Sequence, residues 1–189
     1  MTASIPALWS AFRFVGRHFP AVAILAGVAA IGRFYQTGSS ATEGTLVQLA
    51  LGALVGLARV LLALLVIGDG SVAAGVRAIR RFLALPPEHK RQKSEACTQR
   101  ITAEWRSLVL EIVVFIVLAI AVNLAIAAFA HSAAAAEWAA RFGADKSPAL
   151  ATQLLLKNLS TISMTFIFQI RLAARVWAPA QTSPANRAV

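Results

Sequence analysis

Long apolar runs separated by short polar segments dominate the chain. The two clearest runs extend from Leu46 to Ile67 and from Leu108 to Ala130, and each contains only two strongly polar residues. A helix of about 20 residues crosses the hydrocarbon core of a bilayer, which is about 30 Å thick. Both runs therefore predict transmembrane helices.

Two weaker apolar runs flank them. The first, Phe19 to Gly32, has fourteen uncharged residues, and in the second thirteen uncharged residues separate Lys157 from Arg171. Long basic side chains can reach outward from the ends of such runs and lengthen the span. The first run resembles a signal-peptide core, but eighteen residues precede it, so we expect an uncleaved helix. The predicted spans are about 19–35, 46–67, 107–130 and 150–175.

Basic residues are distributed unequally between the two sides that these spans define. The N-terminal side holds thirteen of them: Arg13, Arg17, Arg77, Arg80, Arg81, Lys90, Arg91, Lys93, Arg100, Arg106, Arg171, Arg175 and Arg187. The other side holds three: Arg33, Arg141 and Lys146. Because cytoplasmic loops are enriched in Lys and Arg, both termini are expected in the cytoplasm. The fold class predicted is an all-α membrane protein, a four-transmembrane helix bundle, and its alanine-rich composition favours a bacterial cytoplasmic (inner) membrane.

Two segments between the spans are amphipathic. The first, about residues 7–18, places Leu8, Phe12, Val15 and Phe19 on one helical face. The second has an apolar stripe after residue 71 backed by arginines. Such helices are typical of the membrane interface. We expect one membrane domain, 1–178, with a basic cytoplasmic loop at 68–106 and a disordered tail at 179–189.

Composition and charge narrow the partners. The chain is 58% hydrophobic and 14% charged, with a net charge of +10. The predicted contacts of the basic loop with lipid or a partner are Arg77, Arg80, Arg81, Lys90, Arg91 and Lys93. Anionic lipid headgroups and a cytoplasmic protein fit this loop. Nucleic acid fits poorly, because the loop lacks a run of aromatic residues for base stacking.

Chemical motifs are few. Cys97 is the one cysteine, and the three histidines, His18, His89 and His131, fall at different predicted depths. Two ligands of one metal or haem must meet at one depth, so neither metal nor cofactor is expected. No serine or cysteine has a base at a usable helical offset, which favours a non-enzymatic protein.

Arg59 is a charged residue inside the second span. It shares a helical face with Gly52, Gly56 and Ala63, and small residues let another helix approach closely. Glu111, in the third span, is its expected partner. The pair could fix helix register or relay a proton or ion, and the alternative is separate snorkelling of the two side chains. We expect the glycine face to contact the third span within one monomer.

The fourth span carries a polar stripe formed by Asn158, Thr161, Thr165 and Gln169. These groups could hydrogen-bond neighbouring helices or line a hydrated path. The sequence therefore favours a subunit or accessory factor of a larger membrane assembly, through another membrane protein or self-association. The alternative is a small oligomeric transporter or channel for an ion or small polar solute, and a membrane enzyme comes third.

Overall fold

A computed structural model describes residues 5–177, and every regular element in that range is helical. The α-helices are α1 (Pro6–Arg17), α2 (Phe19–Gly38), α3 (Thr45–Ile67), α4 (Val72–Leu83), α5 (Pro87–Ala130), α6 (Ala133–Arg141), α7 (Pro148–Lys157) and α8 (Ser163–Trp177). A 3₁₀ turn (Ser40–Thr42) follows α2, and a π turn (Asn158–Ile162) joins α7 to α8. The predicted tail, 179–189, lies outside the described residues.

Local sequence explains where several helices begin and end. Proline stands in the first turn of α1, α2, α5 and α7, where its missing N–H has no helical acceptor to lose. After α3 the backbone takes a positive φ at Asp69 (49°) and Gly70 (101°). Positive φ is unfavourable for most L-residues and easy for glycine. This turn reverses the chain and sends α4 back against α3.

The helices meet at two ends of the molecule. At the basic end, α1, the α3–α4 turn, α5 and α8 come together, and Asp69 accepts a hydrogen bond from Arg171 at 2.6 Å. At the opposite end the Lys146 amide donates to the Gly38 carbonyl at 2.9 Å. The Ser40 amide donates to Asp145 at 2.9 Å there as well. Each of α2, α3, α5 and the α7–α8 pair connects the two ends.

The largest apolar core lies towards the basic end and includes α1. Its buried members are Ala7, Leu8, Ala11, Phe14, Val22, Leu62, Leu65, Val66, Ile167 and Phe168. Of the apolar face predicted for this segment, Leu8 is buried and Phe12 and Phe19 are exposed, while Ala11 and Phe14 are buried as well. The interfacial position of the segment stays a prediction. α8 packs against α1 on the side that carries Leu8, Ala11 and Phe14.

Three helices, α2, α3 and α5, are long and apolar enough to cross a membrane, with 20, 23 and 44 residues. Their exposed surfaces are rich in Leu, Ile and Val, and the apolar half of α5 is almost entirely exposed or half-buried. Soluble monomers rarely expose contiguous apolar surface of this kind. The protein is therefore associated with a membrane.

A π turn divides the expected fourth span. The Ser163 hydroxyl donates to the Asn158 carbonyl at 2.5 Å, and the Asn158 amide side chain donates to the Leu154 carbonyl at 2.7 Å. Side-chain bonds of this kind satisfy backbone carbonyls where helical hydrogen bonding changes from i+4 to i+5. The span is thus split into α7 and α8, of 10 and 15 residues.

Candidate functional site

Arg59 and Asn158 form a polar contact inside the bundle. One guanidinium nitrogen of Arg59, Nη2, donates to the Asn158 side-chain oxygen at 2.9 Å. Asn158 is only 2% exposed, and the Arg59 Nε is buried without an acceptor among the described residues. The cavity beside this contact measures about 10 Å³, which is room for about one water molecule.

The ion pair expected between Arg59 and Glu111 is wrong, since each residue takes a different partner in the described structure. Depth and direction explain this. By helical rise Arg59 lies about 21 Å from the opposite end of the molecule and Glu111 about 28 Å from it. Side chains tilt towards the N-terminus of their helix, so Arg59 on α3 points further towards the opposite end. It therefore reaches Asn158 and moves away from Glu111.

Glu111 is instead the centre of a buried network at the basic end. Its side chain is fully buried, and one oxygen accepts hydrogen bonds from the Ala7 and Leu8 amides at 2.8 and 3.1 Å. The other oxygen binds Arg175 of α8, which also contacts Glu104. A carboxylate at a helix N-terminus satisfies free amides and opposes the helix dipole. Glu111 thereby holds α1, α5 and α8 together.

Sequence reasoning missed this network, although a signal was present. Glu104, Ser107 and Glu111 recur at spacings of three and four, which places them on one face of α5. Arg171 and Arg175 are likewise one turn apart on α8. Two polar stripes of opposite charge near one membrane boundary indicate facing helices. Only α1, whose amides complete the coordination of Glu111, left no such trace.

The polar stripe predicted for a fourth span does not stay together in three dimensions. Asn158 is buried in the π turn, whereas Gln169 on α8 is exposed. Thr165 donates to the Thr161 carbonyl at 2.7 Å, which is local helix bonding. The Thr161 hydroxyl is buried without a partner among the described residues. The π turn has more residues per helical turn than an α-helix. It therefore rotates Thr165 and Gln169 away from the face that carries Asn158.

The small-residue face of α3 looks away from the bundle. Gly56 is exposed, and a Cβ built on it meets nothing within 4 Å. The residues of α3 that pack against α2 are Val55 and Ala58. A Cβ built on Gly52 would meet only the Gln36 side chain, at 3.6 Å, and Ala63 is half-buried. The contact expected between this face and the third span is therefore wrong.

Two apolar grooves open on the surface. One, of about 300 Å³, lies between α1, α2, α5 and α8 and is lined by residues such as Phe12, Phe115 and Met164. The other, of about 470 Å³, lies between α3, α4 and α8 beside Phe82 and Trp177. Their apolar walls match lipid chains or apolar side chains and offer few groups to a polar solute.

Hydrogen bonds shift three ionisable groups outside the spans. The Ser40 side chain, which donates to Asp145, lowers the pKa of that carboxyl. Glu43 accepts a hydrogen bond from Lys146 at 2.7 Å and raises the pKa of the Lys146 ammonium group. At the basic end, the hydrogen bond from Arg171 lowers the pKa of Asp69. All three groups are exposed, so these contacts join segments and contribute little to stability.

The predicted contacts of the basic loop lie on α4 and the first turns of α5. Five of these side chains are exposed and Lys90 is half-buried: Arg77, Arg80, Arg81, Arg91, Lys93 and Lys90. Lys90 donates to the Leu83 carbonyl at 2.9 Å, and Arg91 pairs with Glu95 at 2.9 Å. Within residues 5–177 no three His, Cys, Asp or Glu side chains come together as a metal site.

No known protein family matches the chain, and comparison with curated proteins and with solved structures finds no match either.

Proposed function

We propose that the protein is a non-enzymatic subunit or accessory factor of a larger membrane assembly, and that the exposed part of α5 is its main docking surface. The observation that carries this proposal is the length of α5. From Pro87 to Gln99 the helix extends about 20 Å, and the side chains along this stretch are almost all exposed. A charged helix that leaves the bundle and stays exposed suits a partner's docking surface.

The proposed topology has four crossings, with the basic end in the cytoplasm. α7, the π turn and α8 follow one another without a gap from residue 148 to residue 177, a length of about 45 Å. Together they could cross the bilayer although neither α-helix does so alone. The excess of Lys and Arg at the basic end supports this orientation, and a bacterial cytoplasmic membrane fits it.

The geometry supports a transporter or channel less well than an accessory subunit. Its candidate residues, Arg59, Glu111 and the polar stripe, are separated among different partners. The cavity at Arg59 has room for about one water, and the larger grooves are apolar. What supports the accessory-subunit proposal is thus the exposed surface of the molecule rather than a site inside it.

The test is crosslinking of the tagged full-length chain in its native membrane, followed by native mass measurement. Amine-reactive crosslinking at Lys90 and Lys93 should capture a different membrane or cytoplasmic protein. Charge reversal of Arg91 and Lys93 to Glu should release that protein, while the matched reversal Arg141→Glu at the opposite end should retain it. Recovery of the chain alone, or only of its own oligomers, would rule out the proposed function.

A further inference from the structure

Arg59 carries a charge inside the membrane without a carboxylate to balance it. Its one hydrogen bond within residues 5–177 goes to the neutral Asn158 side chain. Of the eight acidic residues in the chain, only Glu111 falls within the four predicted spans. Glu111 already binds Arg175 and two amides of α1. An arginine about 12 Å inside the boundary of its span is costly unless an acid comes from elsewhere.

The helix face beside Arg59 is open. Leu49, Gly52, Gly56, Arg59 and Ala63 recur along α3 at alternating spacings of three and four residues. This is the spacing with which two helices pack along a common seam. Leu49 is 65% exposed, and nothing lies within 4 Å of a Cβ at Gly56. α2 packs on the neighbouring face, through Val55 and Ala58. It leaves Leu49 and Gly56 uncovered, while Gly52, Arg59 and Ala63 at the edge of the seam are half-buried.

We propose that this seam, Leu49 to Ala63, binds a transmembrane helix of a different protein that carries an Asp or Glu at the depth of Arg59. The inference rests on the proposed function, since it names the surface and the partner's chemistry for that assembly. Gly56 lets the partner's backbone approach closely, and the carboxylate neutralises the guanidinium. A second copy of this chain is a poor occupant, because a two-fold interface would bring Arg59 near Arg59.

The assay uses the full-length chain and a defined probe. The probe is a synthetic Leu/Ala transmembrane helix of about 20 residues with one central Asp, and its control carries Asn at that position. Both are labelled for energy transfer and mixed with the protein in phosphatidylcholine vesicles, which contain no anionic lipid. We expect the Asp helix to associate about tenfold more tightly than the Asn helix. Equal association of the two helices overturns the proposal.

Variants locate the contact on α3. Arg59→Gln should abolish the preference for the Asp helix while still donating to Asn158, and Arg59→Lys should retain it because the charge remains. Gly56→Leu should block association, whereas the matched change Ala50→Leu, about 120° around the helix, should not. Loss of association with Ala50→Leu, or a preference unchanged by Arg59→Gln, would contradict the seam. Folding of each variant is checked by its thermal unfolding in detergent.

The outcomes separate this inference from the proposed function. A native partner that crosslinks at Lys90 and Lys93 but is not lost in Gly56→Leu leaves the accessory function standing and removes the seam. Association of labelled copies of the chain, lost in Gly56→Leu, would show that the seam is a self-contact and overturn the proposal. Selective binding of the Asp helix without any native partner would support the seam and count against the assembly.

Discussion

At the scale of single residues, Glu111 has the largest expected effect on stability. Replacing it with Ala leaves the buried amides of Ala7 and Leu8 without their acceptor, and Arg175 keeps only Glu104 as an acidic partner. Removing one partner from a buried charge pair costs about 3–5 kcal/mol of unfolding free energy. Denaturant unfolding in mixed micelles, followed by circular dichroism, measures this loss.

Glu95→Ala is the control for Glu111, because Glu95 forms an exposed pair with Arg91 on the same helix. Such pairs are worth about 0.3–0.5 kcal/mol. The loss of unfolding free energy in Glu111→Gln should lie between those of Glu95→Ala and Glu111→Ala, since the amide keeps an acceptor oxygen and loses the charge. Losses of equal size at Glu95 and Glu111 would mean that Glu111 does not hold α1 in place.

Asp69 gives a pH-dependent contribution at the same scale. The hydrogen bond from Arg171 lowers its pKa in the folded protein. A lowered folded pKa means that the stabilisation is present above the unfolded value and is lost as the pH falls through the folded one. Asp69→Asn should therefore destabilise the protein at pH 7, by less than about 1 kcal/mol because the Asp69 carboxylate is exposed to solvent. At acid pH the variant and wild type should converge.

A double-mutant cycle with Arg171→Gln isolates this Asp69 interaction. Arg171 also lies over the Phe14 ring, with its guanidinium carbon 4.5 Å from the ring centroid, so its own replacement removes more than one contact. In the Arg171→Gln background, Asp69→Asn should have no further effect at pH 7. An undiminished effect there would place the stabilising contact of Asp69 elsewhere.

At the scale of elements, two glycines distinguish the packed side of α3 from its open side. On α4, a Cβ at Gly75 would lie 2.1 Å from the Leu64 carbonyl oxygen of α3. Gly75→Ala must push α4 away from α3 and should cost about 1–3 kcal/mol of unfolding free energy. Gly56→Ala meets no neighbour and should stabilise α3 by about 0.5–1 kcal/mol. Thermal unfolding of both variants tests this expectation. If Gly75→Ala were the more stable variant, α4 would not pack on α3 in this way.

At the scale of the whole molecule, the proposed four crossings put α4 and α6 on opposite sides of the membrane. Lys93 and Ala140 are both exposed, so each can be replaced by Cys in a background where Cys97 is Ser. An impermeant maleimide should label Lys93→Cys only from the cytoplasm and Ala140→Cys only from outside. The proposed topology separates the two positions by one crossing. Labelling of both positions from the same side would exclude it.

Much of the helical architecture follows from sequence because its causes are local. The apolar runs predict the helices found as α2, α3 and α5, and prolines and glycines mark several of their ends. Run length and turn chemistry depend on neighbours along the chain, so one sequence is sufficient to read them. The π turn at Asn158 was missed, since it depends on a change in backbone hydrogen bonding that helical periodicity does not report.

Partners across the bundle were decided only by the tertiary structure. From the sequence alone, Arg59 and Glu111 were the two charges of opposite sign inside adjacent spans, and Gly56 lay on the same face as Arg59. Which charges meet depends on the depth and rotation of every helix, and the tilt of side chains towards each helix N-terminus adds to this. The sequence by itself determined an all-helical, apolar, asymmetrically charged chain; packing decided that Glu111 binds α1 and α8, and that Arg59 and Gly56 border an open seam.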